Sequence, residues 1–206
     1  AAITDATTPL VFFTLELNRI DDAALDARLA ADADLARYKP VLDRIRAMKP
    51  YQLSDELEKF LHDQSVVGAA AWNRLFDETM AGLTFEVNGE TLGLEATLNL
   101  LSDTDRARRQ AGAEALAAVF AEKRALFARI TNTLAKDKEI EDRWRKLPTP
   151  QMSRHLANDV EPEVVQALRD AVVAAYPRLS HRYYALKARW LGLDKLQVWD
   201  RNAPLP

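Results

Sequence analysis

Cysteine is absent from the 206 residues, which excludes disulfides, thiolate zinc sites, iron–sulfur clusters and a cysteine nucleophile. Glycine is scarce, with only 6 positions against an average usage of about 7%. So few glycines leave little room for tight hairpins and bulges, and a strand-rich fold is excluded. Apolar runs are short: residues 66–72 form one of the longest, against the ~20 residues of a membrane span. The first ten residues lack the basic and apolar segments of a secretory signal. Charge of one sign is lacking too. Lys plus Arg number 28 and Asp plus Glu 31, for a net charge of −3, which is no footprint of a general binder of nucleic acid or anionic membranes.

What is present is alanine and leucine, 34 and 29 residues, both strong helix formers. The expected fold is therefore all-α, a multi-helix array with one small β-hairpin near 83–92. Residues 10–17 form an apolar block too short for periodicity to separate helix from strand. It is read as helix because helical spacing follows through 21–34 at Leu25 and Leu29 and through 35–48 up to Pro50. Ser54, followed by Asp55 and Glu56, predicts a helix start in which the hydroxyl caps free amides and the acids face the positive end of the dipole. That helix is expected to reach about Gln64, and another covers 69–81 with Trp72, Leu75 and Phe76 inward. Leu83 to Val87 alternates apolar and polar, and Asn88-Gly89 tolerates positive φ, so a hairpin follows. A hairpin alone is marginal in water and must pack on helices.

From Leu94 the chain is helical again. Ser102 and Asp105 give a Ser-x-x-Asp start signal for a long helix carrying Leu116, Phe120, Phe127, Ile130 and Leu134 on one face, with Gly112 and Ala121 as candidate breaks. It ends by Pro148 and Pro150. Two further helices are expected over 161–175, with Val164, Val165, Leu168 and Val172 inward, and over 176–191, stopped by Gly192.

Residue chemistry points to no active site. His62, His155 and His181 form no His-x-x-x-His pair, and no Glu stands three residues before any of them. Glu58 and His62 share a helix face, which reads as a weak ion pair rather than a metal edge. The glycines fit neither a dinucleotide fingerprint nor a phosphate loop. Residues 136–143, the Arg106, Arg108, Arg109 cluster and the Arg143, Arg145, Lys146 cluster all read as solvated helix faces of mixed charge. No catalytic, cofactor-binding or metal residue is assigned.

Read as words, the sequence is more telling. Phe12-Phe13 through Leu17 comes first, then Leu53-Ser54-Asp55-Glu56-Leu57-Glu58 and Ala71-Trp72-Asn73-Arg74-Leu75-Phe76-Asp77-Glu78. Ile130-Thr131-Asn132-Thr133-Leu134-Ala135-Lys136-Asp137-Lys138 and His155-Leu156-Ala157-Asn158 follow. Arg182-Tyr183-Tyr184-Ala185-Leu186-Lys187 and Trp199-Asp200-Arg201-Asn202-Ala203-Pro204 close the series. In this order the chain resembles oligoendopeptidase F, a bacterial relative of thimet oligopeptidase, over nearly its whole length.

The resemblance implies a cytoplasmic, mostly helical zinc metalloendopeptidase that hydrolyses short oligopeptides inside a deep channel. Its family chemistry uses a His-Glu-x-x-His helix plus a later Glu ligand, the first Glu acting as base for a zinc-bound water. This sequence has no His-Glu dipeptide. The chain is therefore expected to be an internal piece, upstream of the zinc motif. Residues 1–100 would be the N-terminal accessory helical region and 101–206 the first part of the catalytic domain. The segment would supply scaffold and channel wall, bind no zinc itself and be inactive alone, with His155 and Asn158 in structural roles. Its partners would be oligopeptides, with no nucleic acid and no membrane. Apolar residues of the tail, Leu193, Leu196, Val198, Trp199 and Leu205, would pack on the rest of the enzyme or a neighbouring chain. The alternative is a non-catalytic helical module that binds protein or peptide partners through an apolar face.

Overall fold

A computed structural model describes residues 2–206. Along the chain its helices are α1 (Ala2–Thr7), α2 (Val11–Arg19), α3 (Asp22–Ala31), α4 (Ala33–Ala36), α5 (Lys39–Arg46), α6 (Asp55–Gln64) and α7 (Ala69–Ala81). The strands β1 (Thr84–Val87) and β2 (Glu90–Gly93) come next. After them are α8 (Leu94–Leu100), α9 (Arg106–Arg145), α10 (Met152–Ala157), α11 (Pro162–Ala175) and α12 (Ser180–Trp190). Among the described residues the hairpin is the only sheet, so the all-α reading with one hairpin holds. The short helices α1 and α10 have no counterpart in the sequence reading. None of the helices is long and apolar enough to cross a membrane, among the described residues.

The chain divides into two compact units. The first comprises everything up to Trp72 together with Thr133–Val165, and the second comprises Asn73–Asn132 with Gln166–Pro206.

In the first unit α2 packs on α5 and α6 and buries Leu15 and Asn18, while α3 buries Leu25 and Leu29. Asp21 caps α3 by accepting from the Ala24 N–H at 3.0 Å, and Asp32 starts α4 by accepting from Asp34 and Leu35. Each cap satisfies amides that the first turn would leave orphaned. Ser54 occupies the N-cap of α6 in extended conformation, but its hydroxyl makes no capping bond. Glu58 instead reaches back, its carboxylate accepting from the Leu53 N–H at 2.8 Å. Arg46 donates to the carbonyls of Leu17 and Ile20, joining the end of α2 to α5.

In the second unit the hairpin supplies the core. Register pairs Thr84 with Gly93 and Val87 with Glu90, and Asn88 and Gly89 take φ of 53° and 85° at the turn. Strand periodicity puts Leu83, Phe85 and Val87 on one face, and all three are buried. Phe85 meets Phe120 at 6.1 Å between ring centroids, and Phe120 meets Phe127 at 6.0 Å, spacings at which tilted rings attract. Helix α9 runs unbroken for 40 residues. Gly112, a candidate break, is instead a contact point: a Cβ there would lie 3.0 Å from the Leu100 Cβ and 3.3 Å from the Thr97 carbonyl oxygen. The helix starts after Asp105, whose carboxylate accepts from the Ala107 N–H, so Ser102 is not the cap.

Three helices end in the same way. Lys146, Asp159 and Gly192 take φ of 57°, 52° and 66°, and Leu147, Val160 and Leu193 donate back to Asp142, His155 and Ala188. These are Schellman ends. The predicted inward face of α7 is covered only in part, with Trp72 half-buried, and that of α11 is not covered. Leu75 and Phe76 are exposed, although Phe76 touches Phe127 edge-on at 5.7 Å. Val164, Val165, Leu168 and Val172 are all exposed as well. Periodicity identifies an apolar side, not the element that meets it.

Candidate functional site

The three histidines lie in separate surroundings. Nε2 of His62 is 3.1 Å from the Thr7 hydroxyl. His155 lines a small hollow with Met152, Leu156 and Pro162, and Asn158 closes α10 on the surface. His181 lies against the Tyr176 ring at 6.2 Å. Among the described residues, no three His, Cys, Asp or Glu side chains gather as metal ligands. Catalytic zinc takes three protein ligands with an open position, and the described residues bring no such set together.

A groove of about 540 Å³ lies in the first unit between α6 and residues 137–145 of α9. The spacing 137, 140, 141, 144, 145 lays one face of α9 along it, opposite Leu57, Phe60, Leu61 and His62 of α6. At its base Arg145 makes a two-pronged pair with Glu58, Nη1 to Oε1 at 2.7 Å and Nη2 to Oε2 at 3.0 Å. Arg145 Nε donates to Glu141 at 2.7 Å and Nη1 also to the Tyr51 carbonyl at 3.4 Å. Burial pushes the Glu58 carboxyl up, but the hydrogen bonds from Arg145 and the Leu53 N–H outweigh it and hold it below the usual value. The hydrogen bond to Glu58 raises the Arg145 guanidinium further above its ordinary range. Glu58 thus pairs with Arg145 rather than with His62. Arg145 is no solvated cation either, because its side chain is only 11% exposed. Lys136, Lys138, Glu139 and Arg143 are exposed as read, Lys136 and Arg143 pairing with Glu139 and Lys138 with Asp142, whereas Asp137 and Asp142 are half-buried.

A second buried ion cluster lies in the second unit. Asp200 is fully buried and accepts from Arg106 Nε and Nη2 at 3.0 Å each, from Arg109 Nη2 at 3.1 Å and from the Gln197 N–H at 2.9 Å. Burial alone would raise its pKa, but these donors bring it down to about 2. Arg109, read from sequence as solvated, is 3% exposed and also donates to the carbonyls of Asp103, Thr104 and Trp199. Lys187 is buried likewise, donating to the Arg201 carbonyl at 2.9 Å. In the tail Leu193, Leu196 and Trp199 are half-buried, while Val198 and Leu205 are exposed.

Both clusters join residues far apart in sequence, and neither contains a nucleophile next to a base. Their chemistry is that of anchors: charged groups held by several hydrogen bonds each, which fix one helix or tail against another.

Comparison with known proteins accounts for the words of the sequence. Residues 16–85 match the family model described as Oligopeptidase F. The chain is 27% identical over 200 residues to Group B oligopeptidase PepB of Streptococcus agalactiae serotype III (strain NEM316), covering 94% of this chain and 33% of that protein. It is 23% identical over 209 residues to oligopeptidase PepF of Bacillus subtilis (strain 168), covering 98% of this chain and 31% of the relative. The structure superimposes on oligoendopeptidase-F from Enterococcus faecium with a TM-score of 0.83 at 25% identity, covering 98% of this chain and 41% of that one. The same fold recurs in a putative oligoendopeptidase F from Bacillus anthracis, at a TM-score of 0.76 and 19% identity. The chain spans about a third of the length of the curated relatives it matches. In sequence and in fold, then, this chain is similar to oligoendopeptidase F, over a stretch amounting to about a third of the length of those curated peptidases.

Proposed function

We propose that the chain works as part of a cytoplasmic, zinc-dependent metalloendopeptidase that hydrolyses short oligopeptides, and that it supplies scaffold and substrate-channel wall rather than chemistry. The observation that carries this reading is the alignment of nearly the whole chain with about a third of proteins named as oligopeptidases. The two buried ion clusters support a scaffold role, since each locks distant segments without offering a reactive group. Residues 1–100 would serve as the accessory helical region and 101–206 as the start of the catalytic domain. Zinc, when bound, would supply the activated water; its ligands would come from residues other than those of this chain. His155 and Asn158 would serve the ends and packing of α10. The lack of cysteine agrees with a reducing compartment.

The test has two arms. The 206-residue chain, dialysed and analysed for metal, is expected to hold no stoichiometric zinc and to leave a quenched oligopeptide uncleaved. One tightly held zinc per chain, or turnover lost on adding chelator, would overturn the scaffold reading. Sequencing the gene beyond Pro206 is expected to reveal His-Glu-x-x-His. A nearby stop codon would favour the alternative of a non-catalytic helical interaction module, which the exposed Val164, Leu168 and Val172 of α11 also support.

A further inference from the structure

We propose that the groove between α6 and α9 binds the amino terminus of a peptide, taking apolar side chains and the ammonium group together. Its volume, about 540 Å³, lies within the range of ligand pockets, roughly 300–1,000 Å³. Single exposed apolar residues on a surface need no explanation. Here four large ones converge on one hollow: Leu57, Phe60, Ile140 and Trp144 are 36%, 61%, 39% and 55% exposed. An apolar concentration of this kind marks a contact site.

Charge decides the occupant. Three carboxylates, Glu58, Asp137 and Glu141, line the groove with two basic side chains, Arg145 and His62, and Nε2 of His62 is taken up at 3.1 Å by the Thr7 hydroxyl. Of the five N–H donors of an arginine, four are already committed, to Glu58, to Glu141 and to the Tyr51 carbonyl. Asp137 has no ion-pair partner among the described residues. The other cations of this stretch, Lys136, Lys138 and Arg143, are outside the lining and are paired, Lys136 and Arg143 with Glu139 and Lys138 with Asp142. An incoming carboxylate therefore finds repulsion and no free fork of donors, whereas an ammonium finds spare acceptor oxygens in a site with apolar walls, where charge pairs are screened less. Gln64, also in the lining, carries an amide that both donates and accepts, as a peptide bond requires. An amino-terminal apolar residue combines these requirements. The inference concerns binding by this chain alone and does not depend on the peptidase reading.

The test titrates the 206-residue chain with phenylalanyl-leucine amide, its N-acetylated form and phenethylamine, by calorimetry and by tryptophan fluorescence. The dipeptide amide is expected to bind with a Kd of about 1 mM or tighter. Acetylation, which removes the charge and leaves the side chains, is expected to weaken binding at least about fivefold, and Glu141→Gln and Asp137→Asn each to weaken it several-fold. Trp144→Phe is expected to remove most of the fluorescence response while calorimetry still detects binding. Both acid variants are exposed or half-exposed changes, and circular dichroism checks that they fold. Equal binding of the acetylated form, equal binding of phenethylamine, or no binding up to about 10 mM would overturn the proposal. Such a result leaves peptide hydrolysis by the larger protein untouched, just as an absent zinc motif leaves this binding untouched.

Discussion

Replacing Asp200 by Asn removes one charge from the centre of the second unit and leaves its shape almost unchanged. Arg106 is 43% exposed at its side chain and can turn into water. Arg109 cannot, because its side chain is 4% exposed and held by three backbone carbonyls. The substitution therefore leaves a buried guanidinium without an anion. Removing one partner of a buried pair costs about 3–5 kcal/mol, and the open side at Arg106 places this case at the lower end, about 3 kcal/mol. Proton linkage gives a compatible figure. A carboxyl that titrates at about 2 in the fold and at 3.8 otherwise contributes at most about 2.5 kcal/mol, less after solvent screening on the Arg106 side.

The assay is urea unfolding in a background where Trp72 and Trp144 are replaced by Phe, so that Trp190 and Trp199 report on the second unit. For a loss of about 3 kcal/mol the midpoint falls by about 1–2 M. The pH dependence has a fixed sign. A lowered carboxyl pKa stabilises fully above the unfolded value, and that stability is lost as pH falls toward the folded one. The stability gap between the parent protein and its Asp200→Asn variant should thus be full above about pH 4 and close as pH approaches 2. A change in midpoint smaller than about 0.3 M at pH 7 would refute the reasoning, since it would mean that Arg109 finds adequate acceptors without Asp200.

Three other perturbations test separate links. Gly112→Ala gains helix propensity of about 1 kcal/mol but drives a methyl against Leu100 and the Thr97 carbonyl. The overpacking penalty of about 1–3 kcal/mol should win in a thermal melt, and a higher Tm for the variant would show that α8 yields freely. Gly89→Ala meets no atom within 4 Å, so its cost is the backbone's alone, about 1–2 kcal/mol for a side chain at φ 85°; hydrogen exchange of Phe85 should rise, and unchanged protection would count against a strict turn. Glu58→Gln keeps one acceptor for the Leu53 N–H but withdraws the charge from Arg145. A loss of about 1–2 kcal/mol is expected, read by thermal unfolding at neutral pH and vanishing in acid, where the wild-type carboxyl is itself protonated.

The parts of this molecule that are legible in its sequence are those whose determinants are local. Asn88-Gly89 fixes a turn within four residues, and the alternation of Leu83, Phe85 and Val87 then fixes which face is buried. The bounds of α7 follow from a short apolar period, and the end of α12 from Gly192. Where the sequence misleads, the missing partner is distant. Arg109 and Asp200 are 91 residues apart, and Arg145 and Glu58 are 87 apart; nothing within a helical turn of either arginine distinguishes it from its solvated neighbours. The same gap explains Ser54, whose hydroxyl makes no cap while Glu58, fixed by Arg145, takes the Leu53 amide.

The groove marks the boundary between these cases. One wall is available in sequence, since Ile140 and Trp144 interrupt a charged stretch at the i, i+4 spacing of one helix face. A purely solvated helix has no use for a tryptophan there. The other wall, Leu57 and Phe60 on α6, cannot be assigned to the same hollow until the fold joins the two helices through Arg145 and Glu58. That ion pair therefore has two consequences: it fixes α6 on α9, and it consumes the guanidinium that would otherwise have made the groove attractive to anions. Neutralising Glu58 alone should loosen the helices and also release donors of Arg145, so that its effect on a cationic ligand is larger than that of neutralising Asp137, which touches no such anchor. The order of the two effects follows from the connectivity of one arginine rather than from the number of acids in the groove.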